Sequence, residues 1–207
     1  MKRNKGSLFV ISAPSGAGKT TLCHKLGETL PRIRHSISYT TRAPRQGEIN
    51  DLHYTFVDKD SFRAMIAEGV FVEWAEVHGN YYGTSKKRIE ELADAGIDVI
   101  LDIDVQGAHQ IKKDLSGCVF IFILPPSMKV LRKRLVERMS DSDEVIGRRL
   151  KNAAGEIKEY ENYDYVIVND IMEDALKELE SIVIAERACI ASIDHEWIHR
   201  NFFEEEV

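Results

Sequence analysis

The sequence predicts an α/β fold of the P-loop NTPase type: a parallel sheet flanked by helices, carrying an inserted α+β lobe and a second, helical segment. Three observations predict it. Short β-rich apolar runs recur at residues 8–11, 99–103, 119–124 and 165–168, each followed by a stretch with helical spacing, which is the alternation of a parallel sheet covered by helices. A glycine-rich turn, APSGAGKT, lies between the first apolar run and the first helical stretch. The pattern then changes over residues 34–87 and again over 125–160, which separates both segments from a core made of residues 1–33, 88–124 and 161–207.

The first strand leads directly into the segment from Ala13 to Thr20. A turn of this kind surrounds phosphates with backbone N–H groups, and the helix beginning after it adds its partial positive charge. The loop Ala13, Pro14, Ser15, Gly16, Ala17, Gly18 is therefore expected to bind a nucleoside triphosphate, with Lys19 reaching the β- and γ-phosphates and the Thr20 hydroxyl ligating Mg²⁺. Ala13 stands where the motif has its first glycine. Since a Cβ makes positive φ costly, Ala13 is expected at negative φ, with Gly16 and Gly18 carrying the turn.

Short polar strands are expected at residues 36–41 and 54–57, with a brief helix at 61–68, in the inserted segment. The run at 99–103 reads Val-Ile-Leu-Asp-Ile and places Asp102 and Asp104 at a carboxyl edge, where α/β sheets bind ligands. Asp102 fits the acidic residue that holds Mg²⁺, directly or through water. The alternative reading, an N-cap for the next helix, applies better to Asp104. Residues 125–160 open with two prolines and then run helical and basic, and Ser140-x-x-Asp143 marks a second helix start there. Finally, Met172, Leu176, Leu179 and Val183 share one face of an amphipathic C-terminal helix.

Composition narrows the function. The chain has 207 residues, 43% of them hydrophobic, with 28 basic against 34 acidic side chains and a net charge of −6. That balance argues against a nucleic-acid-wrapping surface, so any anion is met by local arginine and lysine clusters. Cys23, Cys118 and Cys189 have no CxxC spacing and no companion histidines, so they are expected to be reduced and buried in a cytoplasmic protein. The apolar run after the basic start is too short for a signal peptide, and no window nears the ~18 apolar residues of a membrane span.

A P-loop alone says only phosphate chemistry. The segment SISYTTRAPRQGEINDLHY adds Arg42 and Arg45 around a Pro and a Gly. Such a pair suits a phosphate monoester, though a solvated basic loop has the same composition. Further on, FVEWAEVHGNYYGTS sets Glu73 among apolar residues, where a carboxylate is expensive unless hydrogen-bonded. Guanine presents two donors that a carboxylate accepts as a pair and a carbonyl that needs a hydroxyl or N–H; Glu73 with Ser38 and Thr84 supplies that complement, whereas adenine is rejected.

With APSGAGKT, SYTTRAPRQGE, EWAEVHGNYYGTS, LDIDVQG, FILPPS, the RLVER and GRRL arginines and YVIVND in order from Leu8 to Arg187, the chain resembles the guanylate kinases. The resemblance implies the reaction ATP + GMP → ADP + GDP with Mg²⁺, and makes residues 34–87 a GMP-binding lobe and 125–160 a lid. It implies that Ser38, Arg42, Arg45, Glu48, Tyr54, Glu73, Tyr82 and Thr84 contact GMP, to which Asp104 is added from the strand edge. It further implies that Arg138 and Arg149 close on the ATP phosphates, catalysing with Lys19, and that Asn169 lies near the adenine. Partners are then the two nucleotides, with neither nucleic acid nor membrane. An inactive interaction module of the same fold is disfavoured because Lys19, Arg138 and Arg149 are all present.

Overall fold

The computed structural model describes residues 5–77, 79–138 and 143–204. In chain order the elements are β1 (Leu8–Ser12), α1 (Lys19–Thr29), β2 (Ile33–His35), β3 (Tyr39–Thr40), β4 (Thr55–Phe56), α2 (Lys59–Ala67), β5 (Phe71–Val77) and β6 (Asn80–Ser85). They continue with α3 (Lys86–Asp94), β7 (Asp98–Asp102), α4 (Val105–Asp114), β8 (Cys118–Leu124), α5 (Met128–Arg138), α6 (Asp143–Ile157), β9 (Tyr165–Val168), α7 (Met172–Ala188) and α8 (His195–Phe202).

Five strands form one sheet in the order β2-β7-β1-β8-β9, and every neighbouring pair runs parallel. Burial on both faces explains the unbroken apolar runs. Along β1, Phe9 and Ile11 face α1 and α7 through Leu22, Leu26, Leu179 and Val183, while Val10 faces α3 and α4 through Ile89, Ala108 and Ile111. Each face thus gets alternate residues of a strand whose successive side chains point in opposite directions. The face of α7 read from the sequence holds, with Ala175 added to the buried set. Asp98, fully buried, accepts from the Ser7 N–H at 2.8 Å and from Arg187 Nε at 2.7 Å, which ties the end of α7 to the start of β7.

A second sheet, β4-β3-β6-β5, comes wholly from residues 39–85. It is mixed, with β3 parallel to β4 and antiparallel to β6. Its own packing is aromatic: Phe62 of α2 stacks on Phe71 at 4.6 Å and on Tyr81 at 5.4 Å. The expected strand over 36–41 is mostly absent, because the chain changes sheets inside it. Ser36 N–H still donates to Ile100 O of the first sheet, whereas Ser38 O already accepts from Thr55 N–H of the second. The strand expected at 54–57 shortens to β4, and the helix at 61–68 begins earlier, at an Asp58 N-cap that accepts from Ser61 N–H. The three-residue edge strand β2 was not anticipated.

Helices α5 and α6 pack on each other through Leu131, Leu135 and Ala153. Ser140 of the expected helix start lies outside the described residues, as does the side chain of Arg138. The cysteine expectation needs correction: all are free thiols, but Cys23 alone is buried. Cys118 opens a strand and Cys189 follows a helix, so both sit at element ends that are only partly covered.

Candidate functional site

The phosphate loop is built as its residue types require. Positive φ falls on Gly16 (93°) and Gly18 (97°) and not on Ala13, and Ala17 N–H closes the turn on Pro14 O at 3.1 Å. Helix α1 follows an N-cap at Gly18 that offers no side-chain cap, an arrangement suited to an anion at its first N–H groups. Lys19 Nζ donates to Ile103 O and to Asp102 Oδ1, both at 2.6 Å. Burial works against the charged form of Lys19, but the Asp102 carboxylate outweighs it and the pKa is raised.

Beneath the loop is a support that sequence reasoning did not read. Asn169, only 2% exposed, donates its amide to Ala17 O at 2.7 Å. Arg134 of α5 donates to Asn169 O at 2.9 Å and reaches Ala17 O at 3.5 Å. A Cβ on Gly18 would stand 2.3 Å from Asn169 Nδ2, so the loop lies directly on this amide. The Asn169 amide is thereby engaged with the backbone under the phosphate loop. Arg134 was missed, although it stands one turn before Arg138 in the same basic run.

From the loop a cleft of about 380 Å³ extends to the second sheet. It is lined by Lys19, Thr20, Asp102 and Asp104 on one side and by Ser38, Tyr54, Glu73 and Tyr82 on the other. Glu73 is 5% exposed and accepts from the Thr84 hydroxyl at 2.5 Å. Burial pushes its carboxyl up to about 7 against the Thr84 hydrogen bond, with the nearby Asp104 charge acting in the same direction as burial. Asp104 is the N-cap of α4, accepting from Gly107 N–H at 2.9 Å. This capping role engages one carboxylate oxygen while the residue still lines the cleft.

Arg42 and Glu48 form a bidentate pair, at 2.9 and 2.8 Å, and Glu48 also accepts from Arg45 N–H at 2.7 Å. The Arg42 hydrogen bonds, then the Arg45 N–H, hold the Glu48 carboxyl down at about 2. The Arg42 guanidinium lies over the Tyr54 ring, 5.5 Å from its centre. Glu48 therefore holds an arginine in place, and the Arg45 side chain is exposed.

Helix α6 brings Arg149, Asn152 and Glu156 to a space that also touches Ser15 and Asp104. Their spacing of three and four residues puts them on one helical face, a signal present in the sequence. Glu156 accepts a hydrogen bond from the Ser15 backbone, and burial raises its pKa. Among the described residues no cluster of three or more His, Cys, Asp or Glu could hold a metal by itself. No described helix is long and apolar enough to cross a membrane.

A family model described as guanylate kinase matches residues 5–186. The guanylate kinase of Geobacter metallireducens is 58% identical over 187 residues, covering 90% of this chain and 92% of that one. That of Geobacter sulfurreducens is 56% identical over 193 residues, covering 93% and 95%. Among solved structures, the guanylate kinase from Anaplasma phagocytophilum superposes with a TM-score of 0.81 at 36% identity, over 100% of both chains.

Proposed function

The chain belongs to the guanylate kinase family, and from that premise we propose that it transfers the γ-phosphoryl group of ATP to GMP within the cleft between Lys19 and Glu73. The observation that carries this reading is the continuity of that cleft. A phosphate loop forms one end and a buried carboxylate beside hydroxyl groups forms the other, which suits a triphosphate at one end and a purine with paired N–H donors at the other. A coupled ADP-release assay with GMP, AMP, UMP and dTMP tests it: GMP supports turnover and the other three do not. Equal turnover with AMP overturns it.

The residues divide the work. Glu73 accepts from the ring N–H and exocyclic amino group of guanine, with Ser38 and Thr84 beside it. Arg42, held by Glu48, together with Arg45, Tyr54 and Tyr82, takes the GMP phosphate. Phosphoryl transfer asks for alignment and positive charge more than for a protein base. Lys19 supplies the charge from the loop, while Arg138 and Arg149 supply it from α5 and α6. Arginines placed on a mobile element also exclude water, because the site is complete only when closed.

Thr20 and Asp102 both face the cleft next to Lys19. A hydroxyl and one carboxylate are a donor set that Mg²⁺ accepts when water and phosphate oxygens complete its shell. Bound there, Mg²⁺ would offset phosphate charge. Lys19, now paired with Asp102, would turn to the phosphate oxygens of bound ATP.

The reading also divides the chain. Residues 34–87 act as the GMP-binding lobe, supported by a separate sheet, and 125–160 act as the lid, supported by the small core between α5 and α6. Free thiols and the two nucleotide substrates are consistent with a cytoplasmic location.

A further inference from the structure

We propose that Gly107 is a specificity-determining position: the side chain it lacks leaves the space in which the Glu73 carboxylate is held, so Gly107 sets where guanine is read. The inference rests on the assignment of Glu73 as the guanine acceptor.

Gly107 lies in the first turn of α4, buried, with its N–H bonded to the Asp104 cap. A Cβ built on it would stand 2.6 Å from Glu73 Oε2 and 3.2 Å from Glu73 Cδ. Its φ is outside the left-handed region, so the backbone does not require glycine. Alanine is also the better helix former. What requires glycine here is the approach of Glu73.

Neither element can retreat from the other. Gln110, one turn along α4, donates to Trp74 O at 2.8 Å and accepts from Trp74 N–H at 3.1 Å. That tie fixes the β5 backbone next to Glu73 against the helix. On the far side, Thr84 grips Glu73 Oε1. The carboxylate is therefore held between a hydroxyl and a bare Cα, and its own terminal atoms are the ones that give way when a methyl group is added. Displaced, it leaves Thr84 and swings toward the cleft that Ser38 and Tyr82 line.

The test is steady-state kinetics and thermal melting of the whole chain with Gly107→Ala, Glu73→Asp, both together, and Glu73→Gln. Gly107→Ala is expected to raise KM for GMP about tenfold, the loss of one well-placed charged hydrogen-bonding group. KM for ATP stays at the parental value, and any fall in melting temperature from the unpartnered Thr84 hydroxyl is recovered in the Glu73→Asp background. Glu73→Asp alone also weakens GMP, yet in the Gly107→Ala background it restores part of the loss, because the shorter side chain withdraws from the methyl. An unchanged KM for GMP in Gly107→Ala, additive losses in the double variant, or a fall in melting temperature that Glu73→Asp does not restore would overturn the proposal. Glu73→Gln separates the two claims. If it leaves KM for GMP unchanged, the guanine assignment fails and this inference with it; if it raises KM while Gly107→Ala does not, the role of Gly107 alone is lost.

Discussion

The Thr84 hydroxyl donates to Glu73 Oε1 across 2.5 Å, and the carboxylate it holds is 5% exposed. One hydrogen bond does not replace the water removed from a carboxylate. The outcome is a group poised near neutrality, raised from 4.5 to about 7 by burial, which gives the site and the fold opposite pH preferences.

For binding, only the ionised Glu73 accepts both guanine donors, so KM for GMP rises as pH falls through about 7. For stability, a raised folded-state pKa means that the contribution is present in full below the unfolded value of 4.5 and is lost as pH rises through about 7. The loss amounts to on the order of 3 kcal/mol. Denaturant unfolding from pH 5 to 8 shows it as a declining stability that Glu73→Gln flattens. A parent and variant with the same slope contradict the assignment.

Glu73→Ala is expected to abolish the preference for GMP over AMP while leaving the Arg42 and Arg45 phosphate contacts in place. Comparing kcat/KM for the two monophosphates measures this. A variant that discriminates as well as the parent places selectivity elsewhere.

Asn169→Ala leaves the Ala17 carbonyl with a single long contact, to Arg134 at 3.5 Å. An unsatisfied buried acceptor costs about 1–3 kcal/mol, and the loop that bears it binds ATP phosphates. KM for ATP should therefore rise about tenfold or more, with KM for GMP unchanged. Equal effects on both nucleotides would place Asn169 in the general fold rather than under the loop.

Arg149→Ala should cut turnover far more than it weakens GMP. An arginine delivered to transferring phosphate is worth about 10³–10⁵ in rate, whereas its place beside Ser15 and Asp104 puts it on the loop side of the cleft. Unchanged kcat in the variant removes its catalytic role.

Asp98→Asn tests a structural pair remote from the nucleotides. It removes the charge that pairs with Arg187 Nε, which keeps its Nη2 bond to Pro31 O, and weakens the Ser7 contact; breaking such a buried pair costs about 3–5 kcal/mol. Chemical denaturation should report that loss while kcat and both KM values hold at a temperature where the variant remains folded.

The sheet was legible because burial on both faces demands continuous apolar runs, as Phe9-Val10-Ile11 and Phe120-Ile121-Phe122-Ile123 show. Edge strand β2 was not, since Ile-Arg-His has one buried residue and pairs on one side only. In the phosphate loop the φ pattern followed from residue type alone, because a Cβ excludes positive φ at Ala13 and its absence admits it at Gly16 and Gly18.

By itself the sequence determined the sheet, the shape of the loop and the residue types that gather in the cleft, because strand periodicity and glycine conformation are local properties of the chain. Only the tertiary structure decided what those residues do to one another. Asn169 bonds under the loop across 152 positions of sequence, Glu48 holds Arg42, and Gly107 makes room for Glu73. Such relationships depend on how separate elements approach in space, and on which partner a buried polar group then finds, neither of which any local pattern encodes.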